Sequence, residues 1–335
     1  MRISHASGKK DNPVKVCGHG GGYRPAKDLF IYKVLARHFD IDMDGKPDYV
    51  ISSGLGAEHL KYNDCVKLVW IGENTVPDFN WFDYAIGFDY LEFGDRYLRA
   101  PLFAFCEDFP LIRNRKRSYE EQLLKREFCS FVVSSPRGNP IRKKFFTELS
   151  KYKKVASGGR FLNNTGECVV DKMSLIRKYK FNIAFENSSS PGYVTEKIMQ
   201  AFAAQTVPIY YGDPLVERDF NTESFVRVEG ESDIERAIEE IMRLDRDDDA
   251  YMKVATAQCM AGGDVSTYEK EIERFLLDVF GRPLETARRR PEYGYQADQC
   301  RRMKPFLRGY QRMRQIAWFG KGLAKGRLDF GVFRG

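Results

Sequence analysis

The chain has 335 residues, 43% hydrophobic and 14% aromatic, which excludes a disordered or fibrous polypeptide and suffices for about two packed domains. Its net charge of +7 is unevenly placed: residues 282–335 hold 14 Lys/Arg against 4 Asp/Glu, a local +10, so the preceding body carries −3. An acidic body disfavours a nucleic-acid-binding protein, and the tail is matched to an acidic partner, a membrane surface before a nucleic acid.

In chain order, Val14–Val16 reads as a first strand and Leu29–His38 has helical spacing of apolar residues. Between them, Gly18–Gly22 is a glycine-rich loop. Asp40-Ile-Asp-Met-Asp-Gly-Lys-Pro-Asp48 imitates the start of a calcium loop. Its twelfth position is Ile51 where a bidentate glutamate belongs, and Pro47 interrupts it, so a solvated turn is expected there. Tyr49–Ile51, Val66–Ile71 and Tyr84–Ile86 read as short buried strands. The charged stretch Leu111–Arg126, with Arg115, Lys116 and Arg117 at its centre, marks a domain boundary.

A second alternating unit follows. Strands are expected at Phe128–Val133, Lys154–Ala156, Phe181–Phe185 and Val207–Tyr211, with helices at Asp171–Tyr179 and about Val194–Gln205. Asn139 is placed to cap a helix whose first residue is Pro140. Asp233–Leu244 and Tyr268–Phe280 are further amphipathic helices. In the tail, Met303, Phe306, Tyr310, Met313 and Ala317 recur at spacings of 3 and 4, extended by Trp318, Phe319 and Leu323, with basic residues on the other faces. This is the pattern of a peripheral membrane anchor, its helix expected to start only at Pro305. Seven scattered cysteines (Cys17, Cys65, Cys106, Cys129, Cys168, Cys259, Cys300) lack CxxC spacing and fit unpaired thiols in a reducing compartment. No run approaches 18 apolar residues, so no spanning helix is expected.

The chemistry concentrates where the 181–185 strand ends. The loop Glu186–Gly192 leads into a helix opening with Tyr193, Thr195, Glu196 and Lys197. A helix start offers unpaired N–H groups and positive dipole to a diphosphate, and Lys197 adds a full charge. Glu196 beside it can accept hydrogen bonds from ribose hydroxyls. The residues alone are equally compatible with an ordinary strand–loop–helix joint carrying surface charge.

Phe185-Glu-Asn-Ser, Tyr193-Val-Thr-Glu-Lys and Val207-Pro-Ile-Tyr-Tyr-Gly, in this order and spacing, resemble the donor-binding signature of the alpha-1,3-fucosyltransferase family, glycosyltransferase family 10, in its bacterial form. The resemblance implies donor roles for Tyr193, Glu196 and Lys197, with Glu186 and Asn187 near the sugar. Ser134-Ser-Pro-Arg-Gly-Asn-Pro-Ile-Arg142 is similar to the family's strand–loop–arginine element, which implies that Arg142 clamps the donor diphosphate. Without it, Arg142 beside Lys143 and Lys144 also reads as a solvated residue on a basic helix. Trp70-Ile-Gly-Glu, continuing to Arg96-Tyr-Leu-Arg, resembles the catalytic stretch and implies that Glu73 is the general base.

The expectation is therefore an α/β protein of the GT-B fold: two Rossmann-like domains facing across a cleft, plus a basic amphipathic tail. The expected boundaries are 1–122 for the acceptor side, 123–281 for GDP-fucose and 282–335 for the tail. The resemblance implies inverting transfer of L-fucose from GDP-fucose to a GlcNAc or Glc hydroxyl of a surface glycan such as lipopolysaccharide, with an N-acetyllactosamine-like acceptor. No metal or other cofactor is expected. The chain is expected to be cytoplasmic and held on an anionic membrane by its tail, with no nucleic-acid partner. The alternatives are another GDP-sugar, such as GDP-mannose, and a non-catalytic glycan- or nucleotide-binding protein.

Overall fold

The computed structural model describes residues 14–19, 30–113, 121–262 and 266–323. The glycines at 20–22, the basic run at 115–117 and the side chains of Trp318, Phe319 and Leu323 lie outside the described residues.

Two parallel sheets are built one after the other. The first takes β1 (Val14–His19), β2 (Ile41–Asp42), β3 (Tyr49–Ser52), β4 (Val66–Trp70), β5 (Tyr84–Gly87) and β6 (Tyr97–Arg99), in spatial order β2-β1-β3-β4-β5-β6. The second takes β7 (Glu127–Phe131), β8 (Val155–Ser157), β9 (Tyr179–Phe185), β10 (Val207–Tyr211) and β11 (Val226–Arg227), in order β11-β10-β9-β7-β8. All neighbouring pairs are parallel. Sheets of this kind are covered on both faces, which is why β9 is buried at every position, Lys180 and Asn182 included. The expected strands are present with ends moved by up to three residues. β2, β6 and β11, two or three residues each, carry too little pattern to be seen in sequence.

The helices are α1 (Phe30–His38), α2 (Phe109–Arg113), α3 (Glu121–Leu124), α4 (Ile141–Leu149), α5 (Lys172–Ile176), α6 (Glu196–Ala203), α7 (Ile234–Arg246), α8 (Asp248–Thr256), α9 (Ser266–Gly281), α10 (Leu284–Ala287) and α11 (Tyr295–Leu323). The Asn139–Pro140 start is as expected: Pro140 has helical angles, and Asn139 Oδ1 accepts from the Ile141 amide at 3.0 Å. Asp171 caps α5 through the Ser174 amide at 3.0 Å. The Asp40–Asp48 stretch forms the short β2 and a turn in which Asp42 accepts from the Asp44 amide at 2.8 Å.

One core links the layers. Val194, Ile198, Met199 and Phe202, at and along α6, pack in the same cluster as Phe103, Phe105 and Phe109 of the first unit. Although α9 lies within the 123–281 segment, it packs on α1, with Phe280 stacked on Tyr49 at 4.3 Å. The chain therefore crosses back to the first sheet before the tail begins.

The tail corrects one expectation. α11 begins at Tyr295 and runs through Pro305 instead of starting there. Pro305 is exposed, so water can reach the backbone carbonyl that loses its amide partner. Met303, Phe306, Tyr310, Met313 and Ile316 stand 48–72% exposed on this helix. No helix among the described residues is long and apolar enough to cross a membrane.

Candidate donor and catalytic site

In an open parallel sheet the ligand crevice lies beyond the carboxyl ends of the strands, where the spatial order reverses. In the second sheet that point falls between β7 and β9. The loop after β7 leads to Arg142 and the loop after β9 begins with Glu186, so the topology itself brings these two stretches together.

Arg142 is only 2% exposed, unlike its exposed neighbours Lys143 and Lys144, so it is no solvated surface residue. Its guanidinium donates to Ser135 O (3.1 Å), Arg137 O (3.3 Å) and Asn187 Oδ1 (2.9 Å). All three are neutral acceptors, and Nε has no partner among the described residues. Burial pushes its pKa down, with the nearby Glu186 opposing. The 134–139 loop lies over it. A side chain at Gly138 would overlap the guanidinium, and the residue's φ of 153° suits glycine.

Glu186 is fully enclosed. Its carboxylate accepts from the Thr195 amide and hydroxyl (2.8 Å each to Oε1, 2.7 Å from the hydroxyl to Oε2) and from Lys197 Nζ at 2.7 Å. It thus anchors the start of α6, which begins at Glu196 with Thr195 before it, not at Tyr193. Burial works against the Lys197 charge, but Glu186 and Glu196 outweigh it and hold the ammonium above its ordinary pKa. Glu196, 3.6 Å from Lys197, is itself opposed by burial yet held below its usual range by Lys197 and Lys172. Lys172 joins this cluster from α5 and donates to Gln200 at 2.7 Å, its pKa lowered first by burial. Nothing in the sequence singled out Lys172, because α5 and α6 meet only in the fold.

Tyr193 is 2% exposed and sits among Val69, Ile71, Phe82 and Phe88 of the first sheet, its ring 5.1 Å from Phe88. Burial raises its pKa, with Glu186 and Glu73 adding to the rise. Glu73 is exposed, three residues past the end of β4. Its neighbour Asn74 donates to Ser188 Oγ (2.7 Å) and Ser190 Oγ (2.9 Å). The Glu73 turn is therefore tied directly to the loop that leads into α6.

The same seam is closed by pairings that the sequence did not show. Asp213 accepts from the Gly192 and Leu215 amides at 2.8 Å each. Arg99 of β6 grips Asp219 with both ends of its fork (2.9 and 2.6 Å), and Tyr268 of α9 adds a bond to Asp219 at 2.8 Å. Gly192 has φ 81°, and a side chain there would sit under 3.0 Å from the Phe88 carbonyl. Gly192→Ala is expected to cost about 1–3 kcal/mol from backbone strain alone. A fall in Tm in a thermal melt checks this. An unchanged Tm would mean that the two loops part without cost.

Among the described residues, no group of three or more His, Cys, Asp or Glu side chains is placed to hold a metal ion.

Two family models match the chain in series. Residues 17–106 match the alpha-(1,3)-fucosyltransferase FucT N-terminal domain, and residues 123–256 match the glycosyltransferase family 10 (fucosyltransferase) C-terminal region. The chain belongs to glycosyltransferase family 10. An alpha-(1,3)-fucosyltransferase FucT of Helicobacter pylori is 36% identical over 264 residues, covering 68% of this chain and 55% of the relative. The chain thus spans about half the length of that curated relative. A crystal structure of an alpha1,3-fucosyltransferase with GDP-fucose superposes at a TM-score of 0.65 with 28% identity, covering 82% of this chain and 93% of that one. Another crystal structure of an alpha1,3-fucosyltransferase superposes at a TM-score of 0.67 with 29% identity, covering 83% of this chain and 94% of that one. The fold is GT-B, as expected from the sequence. α11 lies beyond both matched segments.

Proposed function

We propose that this family 10 protein transfers L-fucose from GDP-fucose to a GlcNAc or Glc hydroxyl of a surface glycan, with inversion. The observation that carries the reading is the Asn74 bridge to Ser188 and Ser190, which joins the Glu73 turn to the loop entering α6. Glu73 is exposed and free to meet an acceptor hydroxyl. In the proposed step it takes that hydroxyl's proton as the oxygen bonds to the anomeric carbon. The bond from that carbon to the diphosphate breaks, and GDP departs with the electron pair. Arg142 and Lys197 offset the charge that grows on the leaving group. Donor entry requires the 134–139 loop to shift off Arg142, whose three neutral acceptors leave its charge to an anion.

The test is GDP release from GDP-fucose with and without N-acetyllactosamine, with GDP-mannose as control. Acceptor-stimulated release from GDP-fucose alone is expected. Failure to bind GDP-fucose overturns the reading, and equal release from GDP-mannose favours a broader donor range.

The proposal extends to location. The exposed Met303, Phe306, Met313 and Ile316 share α11 with exposed Arg301, Arg302, Arg312 and Arg314, which suits an anionic membrane surface. Phe306→Ser combined with Met313→Ser is expected to lower binding to phosphatidylserine vesicles by about tenfold or more, given the apolar area removed. Unchanged co-sedimentation would count against membrane docking.

A further inference from the structure

A groove of about 770 Å³ runs beyond the carboxyl ends of β3 and β4. Its floor is the first sheet, at Val69 and Ile71, and one rim is the turn from Thr75 to Asp78. Thr75 is two residues from Glu73, and its amide donates to the Glu73 carbonyl at 2.7 Å. The opposite wall is not made by the first sheet or its loops. It is made by α11, through Leu307, Tyr310, Gln311 and Arg314.

The helix is fixed to this place by specific bonds. The Gln311 side chain accepts from the Ala57 amide and donates to the Glu58 carboxylate, spanning the turn that follows β3. Lys304 reaches Asn63 further along the same turn. Gly56 permits the close approach: a side chain there would overlap Gln311.

We infer that α11 forms one wall of the acceptor site, and that the groove holds the second sugar of a di- or oligosaccharide whose first sugar lies at Glu73. The inference rests on the proposed transfer and adds to it a binding element outside both segments matched by the family models. Three features specify a sugar. Trp81 and Tyr310 both line the groove and offer flat apolar faces to the C–H faces of pyranose rings. Glu58, Asp78 and Gln311 supply polar groups for hydroxyls. The volume lies within the usual range for ligand clefts, about 300–1,000 Å³, and exceeds what one monosaccharide fills. A nucleotide diphosphate is a poor fit, because two of these groups are carboxylates and the anion-binding arginine and lysine lie on the other sheet.

Tyr310 is 57% exposed, so substituting it leaves the core and the Gln311 bonds that hold the helix intact. Tyr310→Ala is measured with N-acetyllactosamine and with N-acetylglucosamine at saturating GDP-fucose. The expected result is a tenfold or greater rise in KM for the disaccharide, with a smaller rise for the monosaccharide. KM for GDP-fucose and its acceptor-independent hydrolysis stay as in the wild type. An unchanged disaccharide KM overturns the inference, as does an equal rise for both sugars. Saturation-transfer NMR of N-acetyllactosamine, without donor, separates this from failure of the transfer reading. Signal in the wild type that is lost in Tyr310→Ala supports the groove even if no fucose moves. Absence of signal in the wild type, or its persistence in the variant, overturns it.

Discussion

Replacing Glu73 by alanine is expected to leave GDP binding intact and to cut fucosyl transfer about 10²–10⁴-fold, the range that a positioned base contributes. The position supports a clean separation of these effects. Glu73 is exposed and makes no side-chain hydrogen bond or ion pair among the described contacts, so its loss removes no packing. The tie between the two loops is made by the next residue, Asn74, and survives the substitution. Isothermal titration with GDP and turnover with GDP-fucose plus N-acetyllactosamine together check the prediction. Near-normal turnover would remove the base from Glu73, whatever the donor affinity. Lost GDP binding would instead mean that Glu73 holds the cleft together.

Of the residues that the sequence pointed to, Arg142 bonds to Asn187 and Lys197 to Glu186, while among the described residues Glu73 is linked to them only through Asn74 and the loop before α6. β9 and β10 were legible because most of their residues are apolar, as in strands buried on both faces, and the loop Glu186–Gly192 because it is polar and closes on a Pro–Gly pair. Glu186 was expected near the donor sugar, and its enclosure against Thr195 and Lys197 was not expected. A strand–loop–helix pattern says that a carboxylate follows the strand. It does not say whether the carboxylate turns outward or folds under the helix start. The pairing of Arg99 with Asp219 was invisible for a related reason. They are 120 residues apart, Arg99 at the end of β6 and Asp219 in the loop after β10, and no local pattern links the stretch Arg96–Arg99 to that loop. The groove behind α11 was equally hidden, since a basic amphipathic helix has the same spacing whether it rests on lipid or on the body of its own chain. The Pro305 expectation failed because an exposed carbonyl can be satisfied by water, which local helix rules for the interior do not include.

Lys197→Ala is expected to weaken both GDP binding and the fold, and the structure shows how to tell the two apart. Its ammonium is 2.7 Å from Glu186, a carboxylate with no exposure whose other partner is Thr195. Removing one partner of such a pair leaves a buried charge uncompensated, at a cost of about 3–5 kcal/mol. A fall in GDP affinity in the single variant could therefore follow from a loosened start of α6 alone. The double variant Lys197→Met with Glu186→Gln removes the buried charge while keeping the shape, and replacing both members of a buried pair in this way is often close to neutral for stability. The expected result is a Tm restored most of the way to the wild type, with GDP affinity still reduced. That outcome assigns Lys197 a direct part in holding the diphosphate. Recovery of GDP affinity together with Tm would show that the lysine serves the Glu186 anchor and that the phosphate charge is met elsewhere, with Arg142 and Lys172 the cations left in reach of the cluster.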